Sequence, residues 1–177
     1  MLKSLVILFL LVGCSFAAVT SQCMKTETKK IQECTKLIEN GIDGIQKMII
    51  SKFDPKKQKE VNEICKKAQN CFGDLKKNCP DFPKDATLML DYLCGKVTFI
   101  TGPFSECMKK LIMLDDTPTA GCGAKIINGD VFDDPKKSCK AVKDTIACEK
   151  DIGKVCDAKM EKLFHAENQG DLKRFKC

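Results

Sequence analysis

Cysteine is unusually frequent in this chain: thirteen occur in 177 residues. Twelve of them lie beyond the first twenty residues, at Cys23, Cys34, Cys65, Cys71, Cys79, Cys94, Cys107, Cys122, Cys139, Cys148, Cys156 and Cys177. Thiols in such numbers serve one of three chemistries: zinc binding, dithiol redox cycling or disulfide cross-linking. Structural zinc sites take cysteine pairs two to four residues apart, whereas the closest pair here, Cys65 and Cys71, is six apart. Thioredoxin-like redox chemistry needs C-x-x-C, which does not occur. An even count behind an export signal reads as a disulfide framework. Six bridges contribute about 2–4 kcal/mol each, not additively. Their connectivity is open, since twelve cysteines allow roughly ten thousand pairings.

Other residues that do chemistry are few. His165 is the only histidine, beside Phe164 in the last helical stretch. A general base needs a partner and a reacting group within hydrogen-bond reach, and the neighbouring sequence supplies neither. A small, helical, disulfide-rich phospholipase would place a His-Asp pair beside paired cysteines and carry a glycine-rich calcium loop, but His165 is followed by Ala166. Phosphate loops and the G-x-S-x-G elbow are absent as well. The acidic pairs Asp115-Asp116 and Asp133-Asp134 lack the alternating ligand spacing of a calcium loop and read as solvated turns. No N-x-Ser/Thr sequon occurs. The expectation is therefore a non-enzyme with no cofactor and no metal.

The elements that hold these residues begin with MLKSLVILFLLVGCSFA. Lys3 supplies a positive start, Leu5 to Val12 an unbroken apolar run, and Ser15-Phe16-Ala17 a small-x-small cleavage pattern, so residues 1–17 read as a signal peptide with Ala18 as the new N-terminus. The run is shorter than the roughly 20 residues of a spanning helix. Leu11-Val12-Gly13-Cys14 also has the form of a bacterial lipobox, which would tether the protein by covalent lipid; a six-bridge helical domain favours removal of Cys14 instead. What remains is residues 18–177, long enough for a single domain, secreted and extracellular, with no membrane span. Loss of Lys3 lowers the net charge from +6 to +5. Almost all the positive charge is lysine, Arg174 being the one arginine, and lysines alternate with acids as in KKQKEVNEICKK. Lysine lacks the planar fork that grips phosphate and base edges, so nucleic acid is not an expected partner.

Helical spacing dominates the chain. Cys23, Ile31, Cys34, Leu37 and Ile38 share one face of a helix from Ser21, and Asn40-Gly41 reads as its stop. Ile42, Ile45, Met48, Ile49 and Phe53 form a second stripe. Asp54-Pro55 is a helix start, followed by Val61, Ile64, Cys65, Ala68, Phe72 and Leu75 and ended by Cys79-Pro80 and Pro83. Further helices run from Lys84 to Gly95 and from Pro103 through Ile112. Residues 115–134 are rich in Gly, Pro, Asp and Asn and read as loop, with Lys125 to Asn128 as a short strand. Asp134-Pro135 opens a last helical stretch that Gly153 bends or splits. Cys139 and Cys148 lie nine residues apart, about 180° around a helix, so they staple to different neighbours. The two Asp-Pro-Lys-Lys copies suggest a repeat, but the cysteine gaps are 11, 31, 6, 8, 15 in one half and 15, 17, 9, 8, 21 in the other, which reads as reused helix starts without duplication.

Taken together, CMKTETKKIQEC, CKKAQNCFGDLKKNC, DYLCGKVTFITGPFSEC and the closing run of cysteines resemble a nematode-expanded family of secreted proteins with a twelve-cysteine extracellular domain of unknown function. The resemblance implies export, six bridges and a mostly helical domain, and transfers no catalytic residue. The fold class expected is all-α: one disulfide-rich domain of about five to seven helices. The function expected is a protein-interaction module, monomeric, with an extracellular protein as partner. The alternative is a carrier of a small hydrophobic ligand such as a lipid, held between the Ile, Leu, Val and Met stripes.

Overall fold

The computed structural model describes residues 21–80, 82–114, 120–128 and 135–177. Among the described residues there are eight helices and no strand: α1 (Ser21–Ile50), α2 (Pro55–Asn78), α3 (Lys84–Thr101), α4 (Ser105–Met113), α5 (Ala120–Asn128), α6 (Pro135–Ile146), α7 (Glu149–Val155) and α8 (Ala158–Arg174). The proposed signal segment, Asp115-Asp116 and Asp133-Asp134 lie outside the described residues. The chain divides into two compact units, Met1–Thr98 and Phe99–Cys177.

In the first unit α1 does not stop at Asn40-Gly41. It runs on to Ile50, with one non-helical residue, Glu27 (φ −115°, ψ 17°). Gly41 and Gly44 are places of close approach by α2. A Cβ on Gly41 would lie 3.5 Å from Ile64 Cγ2, and one on Gly44 would lie 3.0 Å from Val61 Cγ2. The helix ends ten residues later in a Schellman turn, where Lys52 N donates to the Ile49 carbonyl and Phe53 N to the Met48 carbonyl. Lys52 and Phe53 both have positive φ, 53° and 62°. Met48 and Phe53, the apolar pair that accompanies such a turn, are fully buried.

Asp54 caps α2 as its sequence indicated: its carboxylate accepts from Lys56 N and Lys57 N, and Pro55 takes the first helical position. The buried face of α2 is Val61, Ala68, Cys71, Phe72 and Leu75, close to the spacing read from sequence. Core packing here is largely sulfur. Cys23–Cys79 and Cys34–Cys71 join α1 to α2, and Cys65–Cys94 joins α2 to α3. Five of these six cysteines belong to one buried cluster with Ile31, Phe72, Leu75, Phe82 and Leu90. Phe72 and Phe82 meet edge to face at 5.9 Å. The third helix passes Gly95, because Val97 continues its buried face.

The second unit is built around Phe99, Phe104 and Phe164. The three rings form a triangle: Phe104 stacks on Phe99 at 4.9 Å and on Phe164 at 5.5 Å, and Phe99 and Phe164 lie 6.4 Å apart. The expected strand at Lys125 to Asn128 is instead the end of helix α5. Packing overrides the β-branched propensity of Ile126 and Ile127: Gly123 lets α5 approach the α4 backbone, where a Cβ would sit 3.5 Å from the Leu111 carbonyl carbon and 3.6 Å from Ile112 N. The last stretch is three helices, broken at residues 147–148 and 156–157. Gly153 lies inside α7 and faces the Glu161 side chain of α8, so it permits contact between the two helices. The break before α8 comes from Asp157, extended at φ −174°, whose side chain accepts from Met160 N.

The bridges of the second unit are Cys107–Cys156, Cys122–Cys148 and Cys139–Cys177. Cys139 and Cys148 do reach different partners. In each unit the six cysteines pair first to fifth, second to fourth and third to sixth. Six cysteines allow 15 pairings, so this agreement carries information. The fifth cysteine is also a helix C-cap in both: Cys79 N donates to Leu75 and Cys156 N to Ile152, each with its carbonyl partner on a fully buried residue. In both Asp-Pro-Lys-Lys copies the Pro-Lys-Lys opens the helix that carries the third cysteine. The pairing order therefore overturns the reading of reused helix starts without duplication: the halves are two versions of one three-bridge plan.

Two stability tests follow. Gly73 is a mid-helix glycine with nothing within 4 Å of a Cβ, so Gly73→Ala should raise stability by about 0.5–1 kcal/mol, whereas Gly44→Leu should lower it by about 1–3 kcal/mol through overpacking against Val61; urea unfolding of both variants reads the opposite signs. Cys34–Cys71 and Cys139–Cys177 close loops of nearly equal separation, 37 and 38 residues, so chain entropy alone assigns equal losses of about 2–4 kcal/mol. Since Cys34 is fully buried, Cys34→Ala with Cys71→Ala should lower the midpoint further than Cys139→Ala with Cys177→Ala.

Candidate functional site

All twelve described cysteines are consumed in bridges, so none presents a thiolate for metal binding or nucleophilic attack. The cysteine chemistry of this chain is structural first. No helix among the described residues is long and apolar enough to cross a membrane.

His165 stands at the exposed end of a polar chain in the second unit. Its Nδ1 lies 3.0 Å from Glu149 Oε2. A carboxylate oxygen accepts, so Nδ1 carries the proton in this contact. Glu149 Oε1 accepts from Asn168 Nδ2 at 3.5 Å, and Asn168 Oδ1 lies 3.3 Å from the Thr145 hydroxyl, which donates to the Val142 carbonyl at 2.7 Å. Asn168 is 1% exposed. This network fastens α8 to the end of α6 and the start of α7. Its groups are orienting groups: a carboxylate, an amide and a hydroxyl already engaged with a carbonyl. Sequence reasoning did not pick out Asn168 or Asp171. The signal was present, because Phe164, Asn168 and Asp171 follow one another at four- and three-residue spacing, and a buried helix face was there to be read once Phe164 was taken as core. Arg174, the sole arginine, lies 3.6 Å from the buried Asp171 carboxylate on the same helix, so its charge serves the fold.

Two open grooves are lined by described residues. The first, about 470 Å³, runs between α1 and α2. Lys30, Glu33 and Lys36 project from α1, Lys67, Asn70 and Asp74 from α2, and Leu37 with Cys71 forms its floor. Lys30 and Asp74 approach to 3.9 Å across it. These side chains recur at three- and four-residue spacing on the faces left outside by the apolar stripes. Two bridges lock the helices beneath them, so the charged pattern is preorganised. The second groove, about 670 Å³, surrounds the Cys139–Cys177 bridge and is lined by Lys140, Lys143, Asp144, Phe175 and Lys176.

Elsewhere on the surface, Lys47 is held protonated above the ordinary lysine range, first by its hydrogen bond to Asp43 and second by that carboxylate's charge, at 2.6 Å. Other lysines pair with acids three residues away: Lys57 with Glu60, Lys109 with Glu106 and Lys154 with Asp151. Part of the lysine charge is thus paired with acids along the helices, as the alternating sequence indicated.

No curated protein and no solved structure matches the chain. A family match does exist. It runs from the first bridged cysteine to the last, residues 23–177, and so takes in both three-bridge units, all six cross-links and both grooves. The chain belongs to the family described as Domain of unknown function (DUF19).

Proposed function

We propose that the protein is a secreted extracellular interaction module that acts by binding and not by catalysis. Residues 1–17 serve as its signal peptide, and the mature chain begins at Ala18. Six bridges suit an oxidising compartment, and the apolar run Leu5 to Val12 with its small-x-small boundary suits export. The observation that carries the binding reading is the charged groove between α1 and α2. It is open, its walls alternate lysine, carboxylate and amide, and its two helices are cross-linked twice. Such a surface complements a polar protein face better than an acyl chain, which needs apolar walls on every side. Preorganisation lowers the ordering cost of association.

The test is the mass of the protein exported by its natural host, denatured and native. The denatured chain should begin at Ala18 and weigh about 12 Da less than its reduced form, as six bridges require; a chain that begins at Cys14 and carries acyl mass would overturn secretion. The native spectrum should hold a stoichiometric protein partner. Charge reversal at Lys30→Glu, Lys36→Glu and Lys67→Glu should weaken that complex by about tenfold or more without lowering the melting temperature, since rim charges act on encounter and register and not on the fold. A retained apolar adduct in place of the partner would replace this reading with that of a carrier for a hydrophobic ligand. His165→Ala should leave binding unchanged.

A further inference from the structure

The third-to-sixth bridge has diverged between the two units. Cys65–Cys94 has Cys94 packed in the first unit's core, 3% exposed. Its counterpart, Cys139–Cys177, joins a half-buried residue to an exposed one, and it is the one bridge of the six with neither cysteine buried. It lies in the groove lined by Lys140, Lys143, Asp144 and Lys176. Cys177 follows a strained turn: Lys176 has φ 56°, a left-handed conformation, in a second Schellman arrangement with Lys176 N on the Lys173 carbonyl and Cys177 N on the Leu172 carbonyl. Such a conformation is unfavourable for a non-glycine residue.

Access, leaving group and local backbone all favour reaction at this sulfur pair. Exchange requires an approach path for the attacking thiolate, which exposure provides at Cys177. It requires a leaving thiolate of lowered basicity, and lysines around Cys139 stabilise negative charge on sulfur. Opening the bridge also frees the Lys176 turn to relax. The helix that precedes Cys177, α8, keeps its buried Phe164, Asn168 and Asp171, so the bridge can open without dismantling the unit.

We propose that Cys139–Cys177 is a thiol-exchange site, at which the protein takes up a thiol-bearing partner as a mixed disulfide on Cys177. The partner's thiol loses its proton to solvent, and the resulting thiolate attacks Cys177 Sγ. A new sulfur–sulfur bond forms, the bond between Cys177 and Cys139 breaks, and its electron pair leaves on Cys139 as thiolate. One disulfide is consumed and one is formed, so no outside oxidant enters. The reverse step, attack of the Cys139 thiolate on Cys177 Sγ, expels the partner and restores the bridge. The attachment is covalent and reversible.

The experiment treats the oxidised full chain with reduced glutathione at mildly alkaline pH, quenches with acid, alkylates free thiols and maps the peptides by mass. The first adduct should sit on Cys177, with Cys139 as the alkylated thiol, and should form at least about tenfold faster than at any other bridge, as accessibility controls exchange. Helical circular dichroism should persist through that adduct. Replacing Lys140, Lys143 and Lys176 with glutamine should slow the step about three- to tenfold and flatten its dependence on salt. Repeating the run at high protein concentration with a trace of thiol separates the sources: a Cys177-linked dimer identifies a second copy as the thiol donor, and a monomeric adduct identifies a small thiol. First reaction at Cys65–Cys94 or Cys107–Cys156, even reaction across the bridges, or loss of helicity before adduct formation would overturn the proposal.

Discussion

A disulfide inside a helical core fixes two helices at one sulfur pair's separation, and here that constraint acts six times, with Cα atoms 5.4 to 5.6 Å apart at every bridge. Most of the rest follows from it. In the first unit the sulfurs do not decorate the core; with Phe72, Leu75, Phe82 and Leu90 they compose it. That is how a chain with no tryptophan and one tyrosine closes two small units, since large aromatics otherwise dominate burial. Phenylalanine is used where it counts: Phe53, Phe72, Phe104 and Phe164 are all essentially inaccessible. Cross-linking also explains how small elements such as the seven-residue α7 hold their place. That helix is pinned at both ends, by Cys148 to Cys122 before it and by Cys156 to Cys107 after it.

The shared pairing order has a physical explanation that also says why gap lengths hid it. Loop-closure entropy grows only with the logarithm of loop length, about 0.6 kcal/mol per doubling. A gap of 31 residues between Cys34 and Cys65 and one of 17 between Cys122 and Cys139 therefore differ little in cost. What cannot drift is which helix faces which. In each unit a first element is stapled to a second at both its C-cap and its middle, and the second or its start is stapled to the third. The single helix α1 in one half corresponds to the pair α4 and α5 in the other, and α2 corresponds to α6 and α7. Comparing gaps tests loop lengths; comparing pairings tests packing, and only packing is held by the core.

Legibility from sequence followed the same division between local and tertiary causes. Asp54-Pro55 and Cys79-Pro80 were readable as helix boundaries because a side-chain cap and a missing N–H act within three or four residues. The apolar stripe of α2 was readable because its period is local. Gly41, Gly95 and Gly153 were misread as stops or breaks for a common reason. Glycine ends a helix only if the chain needs a left-handed residue there, and none of these three has positive φ. At Gly41 and Gly153 the missing Cβ instead admits a neighbour, Ile64 and Glu161 respectively. The actual stop of α1 uses Lys52 and Phe53 in the left-handed region, residues that no propensity rule nominates; the burial of Phe53 beside Met48 decides it. The charged grooves were half-legible. Alternating lysines and acids announced a solvated face, but which turns of α1 and α2 stand opposite each other depends on Cys23–Cys79 and Cys34–Cys71, and pairing is the one property cysteine counting cannot supply.

Such an architecture separates the residues that fold from the residues that are free to recognise. On α1 and α2 the cysteines and apolar stripe fill one face, and every position in the groove walls, Lys30, Glu33, Lys36, Lys67, Asn70 and Asp74, lies outside it. Surface substitutions of that kind cost little in stability, and the bridges hold their spacing whatever side chain stands there. A core of sulfur thus tolerates wide change on its surface without change of plan. The second unit extends the argument to the cross-links themselves: five bridges keep at least one cysteine buried, and Cys139–Cys177 alone has moved to the surface among lysines. Five bridges remain anchored in the cores of the two units, and Cys177 of the sixth is the one exposed bridged cysteine among the described residues.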